Sequence, residues 1–121
     1  LWIKELNARL ETKLLDKENF NLSLYNTCTK SFDYDKIENG LQIRTKKPGD
    51  RIILKNGTKK LKDFFIDEKI PRDERNKIPL LADGHKILWV IGYRYSDAYK
   101  ITSSTGKVLQ VQFMPLTKEE I

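Results

Sequence analysis

Apolar and polar positions alternate along much of this chain, and the period lengthens only in its middle. Leu6, Ala8, Leu10, Thr12 and Leu14 alternate with Glu5, Asn7, Arg9, Glu11 and Lys13, the pattern of an antiparallel strand with one wet face. Leu6, Leu10 and Leu14 also stand four apart, which leaves a helix open there. Leu22, Leu24 and Tyr25 predict a short strand, followed by a turn at Asn26 and Thr27. Ser31-Phe32-Asp33-Tyr34-Asp35 precedes Ile37 and the turn Glu38-Asn39-Gly40, where glycine tolerates a positive φ. Leu41, Ile43 and Thr45 alternate with Gln42 and Arg44, predicting a strand whose polar face carries Arg44. Pro48-Gly49-Asp50 marks a turn. Arg51-Ile52-Ile53-Leu54 is the next strand, ended by Asn56-Gly57.

The helical spacing begins here. Leu61, Phe64 and Phe65 fall at i, i+3 and i+4, predicting a helix capped by Thr58 with Lys59, Lys60 and Lys62 mainly off its apolar stripe. Pro71 suits the first turn of a second short helix, which puts Arg72 and Arg75 on one face and stops at Pro79. Leu80-Leu81-Ala82, an Asp83-Gly84 turn and Ile87-Leu88-Trp89-Val90-Ile91 predict a hairpin with a central second strand covered on both faces. Tyr99-Lys100-Ile101-Thr102 and residues 108–113 predict a last hairpin, with a loose tail from Met114. The sum is a strand-rich α+β fold: antiparallel sheets, β-sandwich-like, with two short helices in the middle of the chain.

At 121 residues, 39% hydrophobic and 33% charged, the chain fits one domain with a modest core. No apolar run reaches the roughly 20 residues of a membrane span, and no signal peptide opens the chain. It begins with Leu1 rather than Met, so a piece of a longer protein is expected. The single Cys28 excludes an internal disulfide and, with a single His, a zinc cluster of soft ligands. Both point to the cytoplasm. The net charge of +6 is uneven: residues 1–40 carry six Lys/Arg against seven Asp/Glu, residues 41–80 twelve against six, and residues 81–121 five against four. A cationic middle third suits phosphate-rich partners.

Few residues invite catalysis. The Gly49 and Gly57 turns lack the spacing of a phosphate loop. Asp33 and Asp35 form either a paired carboxylate site or a turn; with no basic partner beside them the turn is favoured. His85 reads as an exposed turn residue, Cys28 as a small core residue, Trp89 as core, and Tyr93 and Tyr95 as residues near a strand end. The cations keep two readings, a solvated face or a nucleic-acid contact. Arg72 and Arg75 on one face, with Arg44, Lys46, Lys47 and Arg51 around a single turn, favour the second, because arginine forks match phosphate in two-point contacts.

Arg44-Thr45-Lys46-Lys47-Pro48-Gly49-Asp50-Arg51, Lys60-Leu61-Lys62-Asp63-Phe64-Phe65, Lys69-Ile70-Pro71 with Arg75, Pro79-Leu80-Leu81, and Leu88-Trp89-Val90 with Gly92 and Arg94 together resemble the C-terminal domain of bacterial tRNA(Ile)-lysidine synthetases. The resemblance runs from about Phe32 to Phe113. It implies that residues 1–31 are the connection and first strands leading from an upstream domain and that 32–121 form the C-terminal tRNA-binding domain. Enzymes of this family adenylate the wobble cytidine of tRNA(Ile) with ATP, and magnesium accompanies the nucleotide; lysine then displaces AMP to give lysidine. That chemistry belongs to an N-terminal domain with a Ser-Gly-Gly-x-Asp-Ser loop, a string absent from these 121 residues, so no catalytic, metal or cofactor residue is expected in this chain.

The resemblance also implies that this domain helps recognise the acceptor stem, and that it has a relative in the β subunit of phenylalanyl-tRNA synthetase. The residues it marks as tRNA contacts are Arg44, Lys59, Lys60, Lys62, Arg72 and Arg75, followed by Arg51, Lys69 and Arg94. Implied partners are tRNA(Ile) and the upstream catalytic domain, and not a membrane. A homodimer stays open, as do an interdomain or dimerisation module with an incidental basic surface and an independent RNA-binding domain.

Overall fold

The structure is a computed structural model that describes residues 2–3, 8–16 and 29–115. These form two compact units, one from the described residues up to 35 together with 100–115 and one from residues 36–99.

The first unit is a four-stranded antiparallel sheet. Its strands are β1 (Trp2–Ile3), β2 (Ala8–Asp16), β3 (Thr29–Asp33) and β10 (Lys107–Pro115), in the order β1-β2-β10-β3. The period of two before Asp16 thus makes a strand, and β2 pairs with β10 from Ala8↔Pro115 to Asp16↔Lys107. Phe32, Val108 and Val111 are buried. The expected hairpin between residues 99–102 and 108–113 does not form. Thr102 and Thr105 instead close a turn, with the Thr105 amide donating to the Thr102 carbonyl (3.1 Å) and the Thr102 amide to Thr105 Oγ1 (2.9 Å). The Thr105 hydroxyl donates to Asp33 (2.9 Å), and β10 takes β2 and β3 as partners. Met114 and Pro115, expected to open a loose tail, continue β10. The short strand and turn expected at residues 22–27, and Cys28, lie outside the described residues.

The second unit holds β4 (Leu41–Arg44), β5 (Arg51–Leu54), β6 (Gly57–Lys60), β7 (Leu80–Asp83), β8 (Lys86–Val90) and β9 (Arg94–Tyr95). Their order is β4-β7-β8-β5-β6, with β9 on β8. β8 is central and its last four residues are buried, as its unbroken apolar run predicts. Its pairing with β5 is parallel, a departure from an all-antiparallel expectation. Thr58 is not a helix cap. It lies in β6 opposite Ile53, because the turn after Leu54 returns the chain at Gly57.

Helix α1 (Leu61–Asp67) follows β6 directly and buries Leu61, Phe64 and Phe65. These pack with Ile52, Ile70, Ile78, Leu80 and Val90 in one apolar cluster. Pro71 is the N-cap of the one-turn helix α2 (Arg72–Arg75), which ends before Pro79 is reached.

The exit of α1 is unusual for its residue. The Lys69 amide donates to the Ile66 carbonyl and the Ile70 amide to the Phe65 carbonyl, both at 3.0 Å, the bond pattern that closes helices with a left-handed residue. Lys69 takes that position at φ 57, where glycine is usual. Lys69→Gly is therefore expected to leave the thermal midpoint unchanged or raise it, by up to about 1 kcal/mol of stability. A drop of many degrees in a melting curve would instead make the lysine side chain part of the joint.

Candidate nucleic-acid interface

The basic turn of the second unit is built on one buried carboxylate. Pro48 and Gly49 form a tight turn with Gly49 at φ 89, and the Asp50 amide donates back to the Lys47 carbonyl (3.3 Å). The Asp50 side chain, 1% exposed, accepts from both terminal nitrogens of Arg44 at 2.8 Å and from the Lys47 amide at 2.8 Å. His85 Nδ1 lies 3.2 Å from its Oδ1. Burial alone would raise the Asp50 pKa; the bonds from Arg44, Lys47 and His85, with the Arg44 charge, outweigh it and hold the carboxyl below its usual value.

Three chain segments meet at this point. Arg44 also donates to the carbonyls of Thr45 (3.0 Å) and Gly84 (2.9 Å). The Asp50 carbonyl accepts the Leu61 amide (3.0 Å), and the Arg51 amide donates to the His85 carbonyl (2.9 Å). The turn carrying Lys46 and Lys47, the β6–α1 junction between Lys60 and Lys62, and the β7–β8 turn are thus tied together.

Arg44, expected on a polar strand face, is turned inward to this pair, its side chain only 9% exposed. Alternation along β4 carries no sign that a carboxylate returns six residues later. The other expected contacts divide. Lys60, Lys62, Lys69 and Arg72 are exposed and have no ion-pair partner among the described residues. Lys59 pairs with Asp67 across α1, and Arg94 pairs with Asp97 at 3.4 Å. Such exposed pairs are weak and exchange readily. Arg75 donates through Nε to the Ile70 carbonyl (2.9 Å), bracing the α1–α2 joint. Arg51 is half-buried, with Lys60 and Lys86 as its register partners on either side.

Asp83 was readable only as a turn residue, yet it is fully buried. It accepts from the Glu38 amide (3.0 Å), the Asn39 amide (2.6 Å) and the Tyr99 hydroxyl (2.8 Å). Asp33 and Asp35 serve turns: Asp33 accepts the Asp35 amide (3.0 Å) and Asp35 the Gly106 amide (2.7 Å). His85 is exposed in its turn and Trp89 is core, as read from sequence, while Tyr93 and Tyr95 are exposed. Among the described residues no group of three or more His, Cys, Asp or Glu is placed to hold a metal ion, and no helix is long and apolar enough to cross a membrane.

These features define a small basic α+β domain whose cations sit on strands, turns and short helices, with the basic turn at Lys46 and Lys47 braced by the buried Asp50 carboxylate. The family model described as TilS substrate C-terminal domain matches residues 41–112, and the chain belongs to that family. It is 41% identical over 114 residues to a tRNA(Ile)-lysidine synthase of Clostridioides difficile, an alignment covering 94% of this chain and 25% of that protein. With a tRNA(Ile)-lysidine synthase of Caldanaerobacter subterraneus it shares 48% identity over 104 residues, 84% of this chain and 21% of that protein. The chain thus spans about a quarter of the length of these relatives. A solved structure described as the crystal structure of the TILS C-terminal domain superposes with a TM-score of 0.73 at 28% identity, covering 93% of this chain and 88% of the other.

Proposed function

We propose that this chain holds tRNA for a tRNA(Ile)-lysidine synthase. It grips the acceptor stem of tRNA(Ile) while an upstream catalytic domain uses ATP, with magnesium, and lysine to convert the wobble cytidine to lysidine. Residues 1–31 supply the connection and the first strands leading from that domain, residues 32–121 bind the tRNA, and the work is cytoplasmic. The observation that carries this reading is the set of exposed, unpaired cations Lys60, Lys62, Lys69 and Arg72 in a member of this family. Arg51, Lys59, Arg75 and Arg94 flank them, and Arg44 stays inside, holding the turn.

The physics suits A-form RNA, whose deep, narrow major groove leaves phosphates, 2′-hydroxyls and ends as the accessible features. Lysines supply charge and arginines supply two-point register. Binding energy gained at the stem orients a remote base without making or breaking bonds here.

Changing Lys62, Lys69 and Arg72 together to Gln is expected to weaken binding of a tRNA(Ile) transcript by more than tenfold at low salt. The log–log salt slope should fall by about 2, since each phosphate contact contributes roughly 0.7–0.9. The melting temperature should hardly move. An unchanged slope would overturn the reading.

A further inference from the structure

We infer that Lys60, Arg51 and Lys86 form a row that binds two successive phosphates of one RNA strand, an inference that rests on the tRNA-holding reading. Register runs across the second unit's sheet from Leu41 to Asp83, Lys86, Arg51 and Lys60 on β4, β7, β8, β5 and β6. Residues in register on neighbouring strands share a face, and strands lie about 5 Å apart. Three adjacent strands therefore set three cations side by side over about 10 Å. Ile52, the next residue after Arg51, is fully buried in the apolar cluster, so alternation puts Arg51 on the other face of β5.

Like charges directly opposite one another destabilise a sheet, and here Arg51 has a cation on each side. Carboxylates adjoin the row at its Lys86 end. Asp83, the register partner of Lys86, is fully buried and accepts three hydrogen bonds, one of them from the Tyr99 hydroxyl, which the Arg51 charge also reaches. Glu38 reaches Lys86 at 3.2 Å, but its own side chain is 68% exposed, and it leaves Arg51 and Lys60 without an ion-pair partner among the described residues. At the Arg51–Lys60 end the sheet thus sets two cations directly opposite one another, a repulsion that a polyanion would relieve. A guanidinium fork flanked by two ammonium point charges matches the oxygens of a phosphodiester run. The backbone behind the row is fixed by the β5–β6 ladder and by the Arg51 amide on His85.

The test is the triple change Arg51→Gln, Lys60→Gln and Lys86→Gln in this chain, with binding of a tRNA(Ile) transcript followed across a salt series. Affinity should fall at least tenfold at low salt, and the slope should drop by about 1.5, the share of two phosphates. The thermal midpoint should hold or rise as the repulsion disappears. Lys60→Glu alone, a change at an exposed edge-strand position, should weaken binding more than Lys60→Gln. Binding and slope unchanged in the row variants, but lowered by the Lys62, Lys69 and Arg72 changes, overturn the row and leave the tRNA-holding reading standing. A native chain with no salt-dependent tRNA binding overturns both. A midpoint lowered by many degrees, with Lys60→Glu binding normally, assigns the row to folding and also overturns it.

Discussion

Asp50→Ala is expected to lower the unfolding free energy by about 3–5 kcal/mol, the usual loss when one partner of a buried ion pair is removed, and to lower the melting temperature by roughly 10 °C or more. The variant leaves the Arg44 guanidinium, 9% exposed, without its two-point acceptor. It also releases the Lys47 amide bond that closes the basic turn. A double change of Asp50→Ala with Arg44→Met should recover part of the loss, because it removes the stranded charge as well. The acid limb has a definite sign. The native Asp50 pKa lies below the ordinary 3.8, so the unfolded chain takes up the proton first. Stability from this group is complete above about pH 3.8 and is lost as pH falls through the native value. Asp50→Asn, which cannot carry the charge, should flatten that limb. An Asp50→Ala midpoint within two degrees of the native chain's would show that the pair holds nothing.

The functional consequence follows from what Asp50 joins. Lys46 and Lys47 belong to its turn, and Lys60 and Lys62 flank the Leu61 amide that its carbonyl accepts. The Asp50→Ala chain should therefore bind tRNA less well than its folded fraction accounts for, because the cations lose fixed spacing while keeping their charge. Lys69→Gly supplies the opposite case. There the backbone relaxes and the chain stays folded, while a single exposed charge disappears.

What could be read from sequence, and what could not, divides along one physical line. Properties carried by neighbouring residues were visible. The five-residue apolar run gave the central strand, the Leu61-Phe64-Phe65 triplet gave the buried face of α1, and Pro-Gly gave the turn before Asp50. Properties that need a distant partner were not. Arg44 and an exposed phosphate ligand look alike in a string of letters, since an arginine on a strand is polar whether it meets solvent or a carboxylate. β6 was hidden because Gly57-Thr58-Lys59-Lys60 has no apolar side to announce a strand, and it pairs only because the turn after Leu54 returns it to β5. The last hairpin failed for a related reason. Val108 to Phe113 alternates as an edge or a central strand would, and only the nine-residue register with β2 decides between them. Lys86 is one charge beside an apolar run in the string of letters, and only the strand order puts Arg51 next to it.

Asp83 carries the second large effect because it grips both ends of the 36–99 unit from the middle of its sheet. Its carboxyl accepts the amides of Glu38 and Asn39 near the start of that unit and the hydroxyl of Tyr99 at its close. Asp83→Ala strands one buried donor, the Tyr99 hydroxyl, and two part-buried amides; a buried donor left unsatisfied costs about 1–3 kcal/mol and part-buried ones cost less, so a loss of about 3 kcal/mol is expected in urea unfolding. Tyr99→Phe removes one donor and one bond to the carboxyl group and should cost less, about 1.5–3 kcal/mol. The alkaline limb separates the two. Burial, and then the bond to Asp83, hold the Tyr99 phenol above its ordinary 10.0, so the unfolded chain loses that proton first. The stability tied to Tyr99 is complete below pH 10 and disappears as pH rises beyond it; Tyr99→Phe should lack this limb and Asp83→Ala should shorten it. Amide exchange at Glu38 and Asn39 gives an independent readout, since it should quicken in Asp83→Ala and stay slow in Tyr99→Phe. Equal exchange in both variants would mean that the start of the unit is held by its strand pairing, β4 on β7, and not by this carboxyl group.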